Sequence, residues 1–178
     1  MMRRFLVVDD EIHVLHALQR TIRQHVAEKD IHVETFTESD KALERCGEVD
    51  FDLVISDYRM PGINGIDFLR TVKAIQPDAV RMMLSASSEF DTIVHAVNEA
   101  EVFRYIAKPW QAEEIADAIL RGLERRDKLI DDRRLADEIR AQRDKSAAQQ
   151  REARRLEELE PGITKVNWGP DGSVRLDE

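Results

Sequence analysis

Cysteine is nearly absent from this chain. Cys46 is the only one in 178 residues, so no internal disulfide can form and the chain suits a reducing compartment. The plain reading of Cys46 is a small residue on a helix. No apolar run approaches the ~20 residues of a membrane span. Arg3 and Arg4 precede only four apolar residues before the chain turns acidic, which is not a signal peptide. There is no phosphate-binding glycine loop, no CxxC pair and no nucleophile–histidine–acid set. Excess positive charge is lacking too. The net charge is -9, which makes the chain a poor non-specific ligand for nucleic acid or an anionic membrane. These absences predict a cytoplasmic protein that engages neither membrane nor nucleic acid.

What is present is a regular alternation. Apolar, β-branched runs at residues 5–8, 31–36, 51–56, 80–85 and 102–107 read as strands buried on both faces. Between them, residues 12–27, 38–46, 65–75 and 88–100 have helical period, and a further helix begins after Pro109. On the first helix Ile12, Leu15, Leu18 or Gln19, Ile22 and Val26 form one stripe. On the second, Thr37 or Ser39 can cap the start and Gly47 the end. Five strand–helix alternations call for an α/β fold, a doubly wound five-stranded parallel sheet with right-handed crossovers.

Residues 121–160 are mostly charged, with no proline and one glycine, Gly122. Opposite charges recur at i,i+4 (Glu124 and Lys128, Arg133 and Asp137, Arg134 and Glu138, Arg140 and Asp144), which supports an exposed helix. The fifth helix is therefore expected to run on as a rod of ~75 Å at ~1.5 Å per residue. Leu135, Ile139, Ser146, Ala153 and Leu156 keep a/d spacing, interrupted by Gln142 and Gln149. This predicts a weak dimeric coiled coil; the alternative is a solvated single helix. Pro161-Gly162 ends the rod. Two short runs flank Gly169-Pro170-Asp171-Gly172, a type I turn pattern that predicts a small terminal β-hairpin. The expected division is 1–122, a globular domain; 123–160, the charged helix; and 161–178, the tail.

In a doubly wound sheet, sites form beyond the carboxyl ends of the strands. Those ends carry Asp9 and Asp10, Asp57, Ser85 and Lys108. Clustered carboxylates in a wet site suit a hard divalent cation such as Mg²⁺. One carboxylate can then act as a nucleophile towards a phosphoryl group, with the cation, Lys108 and Ser85 neutralising its oxygens. His13 and His16 lie one turn apart on the first helix but have no evident third ligand, so they read as surface or packing residues.

The stretches VVDDE, VISDYRMPGINGID, LSAS and YIAKPW, in this order and spacing, resemble the receiver domain of two-component response regulators over about residues 3–122. The resemblance implies the flavodoxin-like, CheY-like strand order 2-1-3-4-5. It implies that Asp57 is the phosphoacceptor, fed by a sensor histidine kinase or phosphotransfer protein. Mg²⁺ would be held by Asp10, Asp57 and the backbone carbonyl of Arg59, with Asp9 acting through water. Lys108 would contact the acyl phosphate, Ser85 and Tyr105 would be the switch pair, and a cis bond would precede Pro109. Arg59, two residues after Asp57, is expected to shield the acyl phosphate and slow its hydrolysis. Such a protein is not itself an enzyme.

The implied output is protein–protein contact or a dimer rearrangement. It would pass through the face made by the fourth helix, fifth strand and fifth helix, and through a C-terminal helix that pairs in a homodimer and meets a downstream protein. Too few residues follow the rod for a helix-turn-helix unit, and its charge is mixed rather than basic. Two alternatives stay open. VFRYIAKPW also resembles receivers joined to longer output proteins, such as cyclic-dinucleotide phosphodiesterases, although the tail reads as complete. The chain could also be a phosphate sink.

Overall fold

Parallel pairing of short apolar strands organises the molecule. The structure, a computed structural model, describes residues 2–27, 30–86, 100–159, 167–168 and 174–175. The strands are β1 (Arg3–Val8), β2 (Ile31–Phe36), β3 (Leu53–Asp57), β4 (Val80–Ala86) and β5 (Arg104–Lys108). The helices are α1 (Ile12–His25), α2 (Ser39–Glu48), α3 (Gly65–Ile75) and α4 (Ala112–Leu159). The sheet runs β2-β1-β3-β4-β5, every neighbouring pair parallel. The predicted fourth helix, residues 88–100, lies almost wholly outside the described residues.

Alternation along each strand divides the apolar residues between two layers. Phe5, Val7, Leu53, Ile55, Met82 and Leu84 pack with Leu15, Leu18 and Ile22 of α1 and Ile115, Ile119 and Leu123 of α4. Leu6, Val8, Val54 and Met83 pack with Ala42 and Cys46 of α2 and Phe68, Leu69 and Val72 of α3. Each such large side chain contributes about 1.5–3 kcal/mol on burial. This double layer holds the strands in register, so that their carboxyl ends share one edge.

Several boundaries differ from those read in the sequence. Ile31–Phe36 and Arg104–Lys108 are edge strands and are only partly buried. Ile12 opens α1 at 45% exposure instead of joining its buried stripe. Gly47 lies inside α2, which continues to Glu48, and its N-cap position is Glu38, with no side-chain cap from Thr37 or Ser39. α3 has the cap that α2 lacks: Asp67 N donates to Asn64 Oδ1 at 2.9 Å.

The chain divides into two units, residues 1–130 and 131–178. In the second unit the helical side chains of residues 131–159 are almost all exposed. The Arg134–Glu138 pair is present at 3.7 Å, whereas Arg140 reaches back to Asp137 at 3.5 Å. β6 (Asn167–Trp168) and β7 (Val174–Arg175) pair antiparallel, as the predicted hairpin requires; its turn lies outside the described residues. Among the described residues, no helix is long and apolar enough to cross a membrane.

Candidate functional site

The carboxyl ends of β1, β3 and β5 bring four charged side chains together. Asp9 and Asp10 follow β1, while Asp57 is the last residue of β3 and Lys108 the last of β5. Lys108 Nζ lies 2.8 Å from Asp9 Oδ2 and 2.8 Å from Asp57 Oδ1. Asp9 is fully buried, and its other oxygen accepts the Glu11 amide at 2.9 Å at the start of α1. Asp57 Oδ2 accepts the Arg59 amide at 3.0 Å. The peptide bond between Lys108 and Pro109 is cis.

Position 65 shapes the same edge. Gly65 N donates to Tyr58 O at 2.8 Å, folding the chain after β3 back on itself. A Cβ at Gly65 would fall 2.1 Å from the Asp57 carbonyl oxygen, so this approach admits only glycine. Tyr58 N in turn donates to Leu84 O at 2.9 Å, tying the loop to β4. Neither role was evident in the sequence. The signal available was the second glycine of PGINGID, immediately after a capping asparagine.

Electrostatics set the character of the site. Burial, joined by the charge of Asp9, holds the Asp57 carboxyl above the ordinary carboxylate range despite the bond to Lys108. Burial also works to lower the Lys108 ammonium, but its bonds to Asp57 and Asp9 outweigh that and hold it above the ordinary lysine value. One carboxylate oxygen from each of Asp9, Asp10 and Asp57 lies within 4.8 Å of the others, with Asp10 exposed. A single ammonium does not balance three carboxylates. This all-oxygen donor set, open to solvent through Asp10, fits a hard divalent cation. Among the described residues no other cluster of this kind occurs, and His13 and His16 remain exposed without a third ligand.

A cleft of about 490 Å³ opens beside the site, lined by Asp10, Tyr58, Arg59, Met60, Pro61 and Asn64. Arg59 is exposed and lines this cleft together with Asp10 of the acidic cluster. Ser85 is buried one residue before the end of β4, opposite Ala107, and its hydroxyl donates to Ala86 O at 3.3 Å. The Tyr105 hydroxyl donates to Ser85 O and to Ala86 O, each at 3.3 Å. The two residues read as a switch pair are therefore in contact at the end of β4.

Known proteins agree with this architecture. Residues 5–120 match the family model described as the response regulator receiver domain. The chain is 38% identical over 114 residues to the hydrogenase transcriptional regulatory protein HoxA of Bradyrhizobium diazoefficiens, covering 64% of this chain and 22% of that protein. It is 33% identical over 119 residues to HoxA of Cupriavidus necator, covering 67% of this chain and 24% of that one. The chain thus spans less than a quarter of these curated relatives. Among solved structures, a response regulator receiver domain protein from Clostridium thermocellum superposes with a TM-score of 0.65 at 28% identity, covering 72% of this chain and 99% of that one. A chain described as adenylate cyclase from Rhodopirellula baltica superposes with a TM-score of 0.68 at 32% identity, covering 76% and 97%. With the sheet order, the acidic pocket and Lys108 all in place, the chain belongs to the response regulator receiver family, whose domains accept phosphoryl groups.

Proposed function

We propose that Asp57 accepts a phosphoryl group from a phosphohistidine of a sensor histidine kinase or phosphotransfer protein, and that the signal leaves by protein–protein contact. The observation carrying this reading is the Lys108 ammonium held 2.8 Å from both Asp9 and Asp57 within a three-carboxylate cluster. An Asp57 carboxylate oxygen attacks phosphorus. The P–N bond breaks, its electron pair stays on the imidazole nitrogen, and an acyl phosphate forms. Asp9, Asp10, Asp57 and the Arg59 carbonyl would hold a Mg²⁺ ion, which would supply charge neutralisation of the phosphoryl oxygens. Lys108 reorients from its carboxylate partners to the transferred group. Ser85 turns its hydroxyl towards the phosphoryl oxygens, and Tyr105 follows. Phosphorylation acts only through the free energy by which it favours one of these two arrangements. Arg59, which lines the cleft, shields the product from water.

The outgoing contact is assigned to the exposed apolar residues of α4, which pair with a second copy of the chain or a downstream protein. A second reading makes the chain the receiver and signalling helix of a longer output protein. It is favoured by the small fraction of each HoxA protein that this chain covers.

The test is labelling of the purified chain by acetyl phosphate or phosphoramidate with Mg²⁺, read by intact mass. One phosphoryl group should be gained, and none after Asp57→Asn or with excess chelator. Persistent labelling of Asp57→Asn would overturn the assignment. Removing residues 131–178, the second unit, separates the output readings, because a phosphate sink keeps its cellular role without them and an adaptor loses it.

A further inference from the structure

At the amino-terminal edge of the sheet, opposite the acidic site, lies a second charged cluster that the phosphoryl chemistry does not use. Its centre is Asp52, the residue before β3. Its backbone is committed on both sides: Asp52 N donates to Arg4 O at 2.8 Å, and Val80 N donates to Asp52 O at 2.9 Å. Its carboxylate is committed as well. Oδ2 accepts the Arg4 amide at 2.8 Å, while Oδ1 takes Arg3 Nη1 at 3.1 Å and Arg126 Nη1 at 2.9 Å. Asp52 thereby joins β1, β4 and α4 at one point.

The two guanidiniums carry the network onward. Arg3 grips Asp127 through both terminal nitrogens, one of them at 3.0 Å. Arg126 Nε donates to Asp78 O at 3.0 Å. One residue earlier, Arg125 places its guanidinium 5.8 Å from the ring centre of Phe103. Three successive residues of α4 are therefore tied to three different parts of the domain. They lie beyond Leu123, the last α4 residue in the apolar core, and beyond residue 120, where the family match ends. Arg3 lies outside the match at its other end. Gly122 lets the helix come this close: a Cβ there would sit 2.8 Å from Val80 Cγ1.

We propose that Arg3, Asp52, Arg126 and Asp127 form an ionic latch that clamps α4 to the base of the sheet one turn past its apolar seat. A helix turn without apolar burial frays readily. Here four charges in mutual contact, with the guanidiniums and Asp52 mostly shielded from water, replace that burial. An isolated exposed pair would not suffice, whereas a bidentate arginine in a network has the geometry to do so. The latch is salt-sensitive, because Asp127 faces solvent.

Amide hydrogen exchange on the full chain, followed by mass spectrometry, tests it. Arg126→Gln and Asp127→Asn should each speed exchange of the α4 amides at 124–130 by roughly tenfold, leaving β3 amides and labelling at Asp57 unchanged. Raised salt should do the same to the native chain and little to the variants. Spin labels at Lys41→Cys and Lys128→Cys should give a narrow distance distribution that broadens with Arg126→Gln. Unchanged exchange and an unchanged distribution in both variants would overturn the latch. Equal acceleration across the whole sheet would overturn it too, marking the residues as ordinary contributors to stability. Because labelling at Asp57 is read separately, loss of the latch and failure of the phosphoacceptor assignment are distinguishable.

Discussion

Gly65 faces the backbone of Asp57 so closely that its missing Cβ would stand 2.1 Å from the Asp57 carbonyl oxygen. Backbone, not a flexible side chain, blocks that space. Gly65→Ala must push α3 away from the end of β3 or twist the Asp57 peptide. A destabilisation of about 3 kcal/mol is expected, the upper part of the range for overpacked sites. Since the displaced atoms carry the site, labelling should fall further than stability alone explains. Urea unfolding and acetyl phosphate labelling, both on the soluble variant, measure the two effects separately.

Lys108 leaves a particular debt when removed. In Lys108→Met the buried carboxylates of Asp9 and Asp57 lose the ammonium 2.8 Å from each. Breaking a buried pair from one side is costly, although here the lysine still reaches some solvent. A loss of about 2 kcal/mol is expected without divalent cation. A cation that binds the folded state alone stabilises it by mass action. Mg²⁺ should therefore raise the unfolding midpoint of Lys108→Met more than that of the native chain. Equal Mg²⁺ effects on the two would show that lysine and cation do not share the same carboxylates.

Cys46 lies in the layer beneath α2 and is buried. Burial pushes its thiol from 9.0 up to about 11. At pH 8 the folded chain should react with iodoacetamide far more slowly than the urea-unfolded chain, because the thiolate is the nucleophile. The same shift sets a direction for stability. Below pH 9 the thiol is protonated in both states and contributes no pH dependence. Between about 9 and 11 the unfolded chain releases the proton and the folded chain keeps it, so stability falls as pH rises. Cys46→Ala should flatten that alkaline slope, read from urea midpoints at pH 8 and 10.

The parts of the fold written in local pattern were readable in advance. The apolar residues 5–8 of β1, all of β3 and residues 80–85 of β4 are buried, so their runs stand out whatever surrounds them. The acids and the lysine at the strand ends were visible for the same reason, as abrupt polar residues after apolar ones. The readings that failed depended on tertiary context. Gly47 continues a helix because the elements around α2 hold it, not because glycine favours the conformation. Ile12 is exposed because the stripe it matched in period begins one turn later. Arg3 and Asp127 are 124 positions apart, and their pairing followed from no motif.

The exposed apolar residues of α4 supply the last prediction. Leu135 is 56% and Ile139 49% exposed, four positions apart and therefore on one side of the helix. Neither belongs to the apolar core, so changing them leaves the receiver intact. If a second copy covers them, each buried side chain contributes about 1.5–3 kcal/mol. Replacing both with glutamate adds charge where two copies would meet. Leu135→Glu with Ile139→Glu should weaken self-association by at least about two orders of magnitude while leaving Asp57 labelling unchanged. Sedimentation equilibrium over a range of concentrations, with and without Mg²⁺ and beryllofluoride, measures the association. A native chain that stays monomeric in every condition would exclude a second copy as the cover.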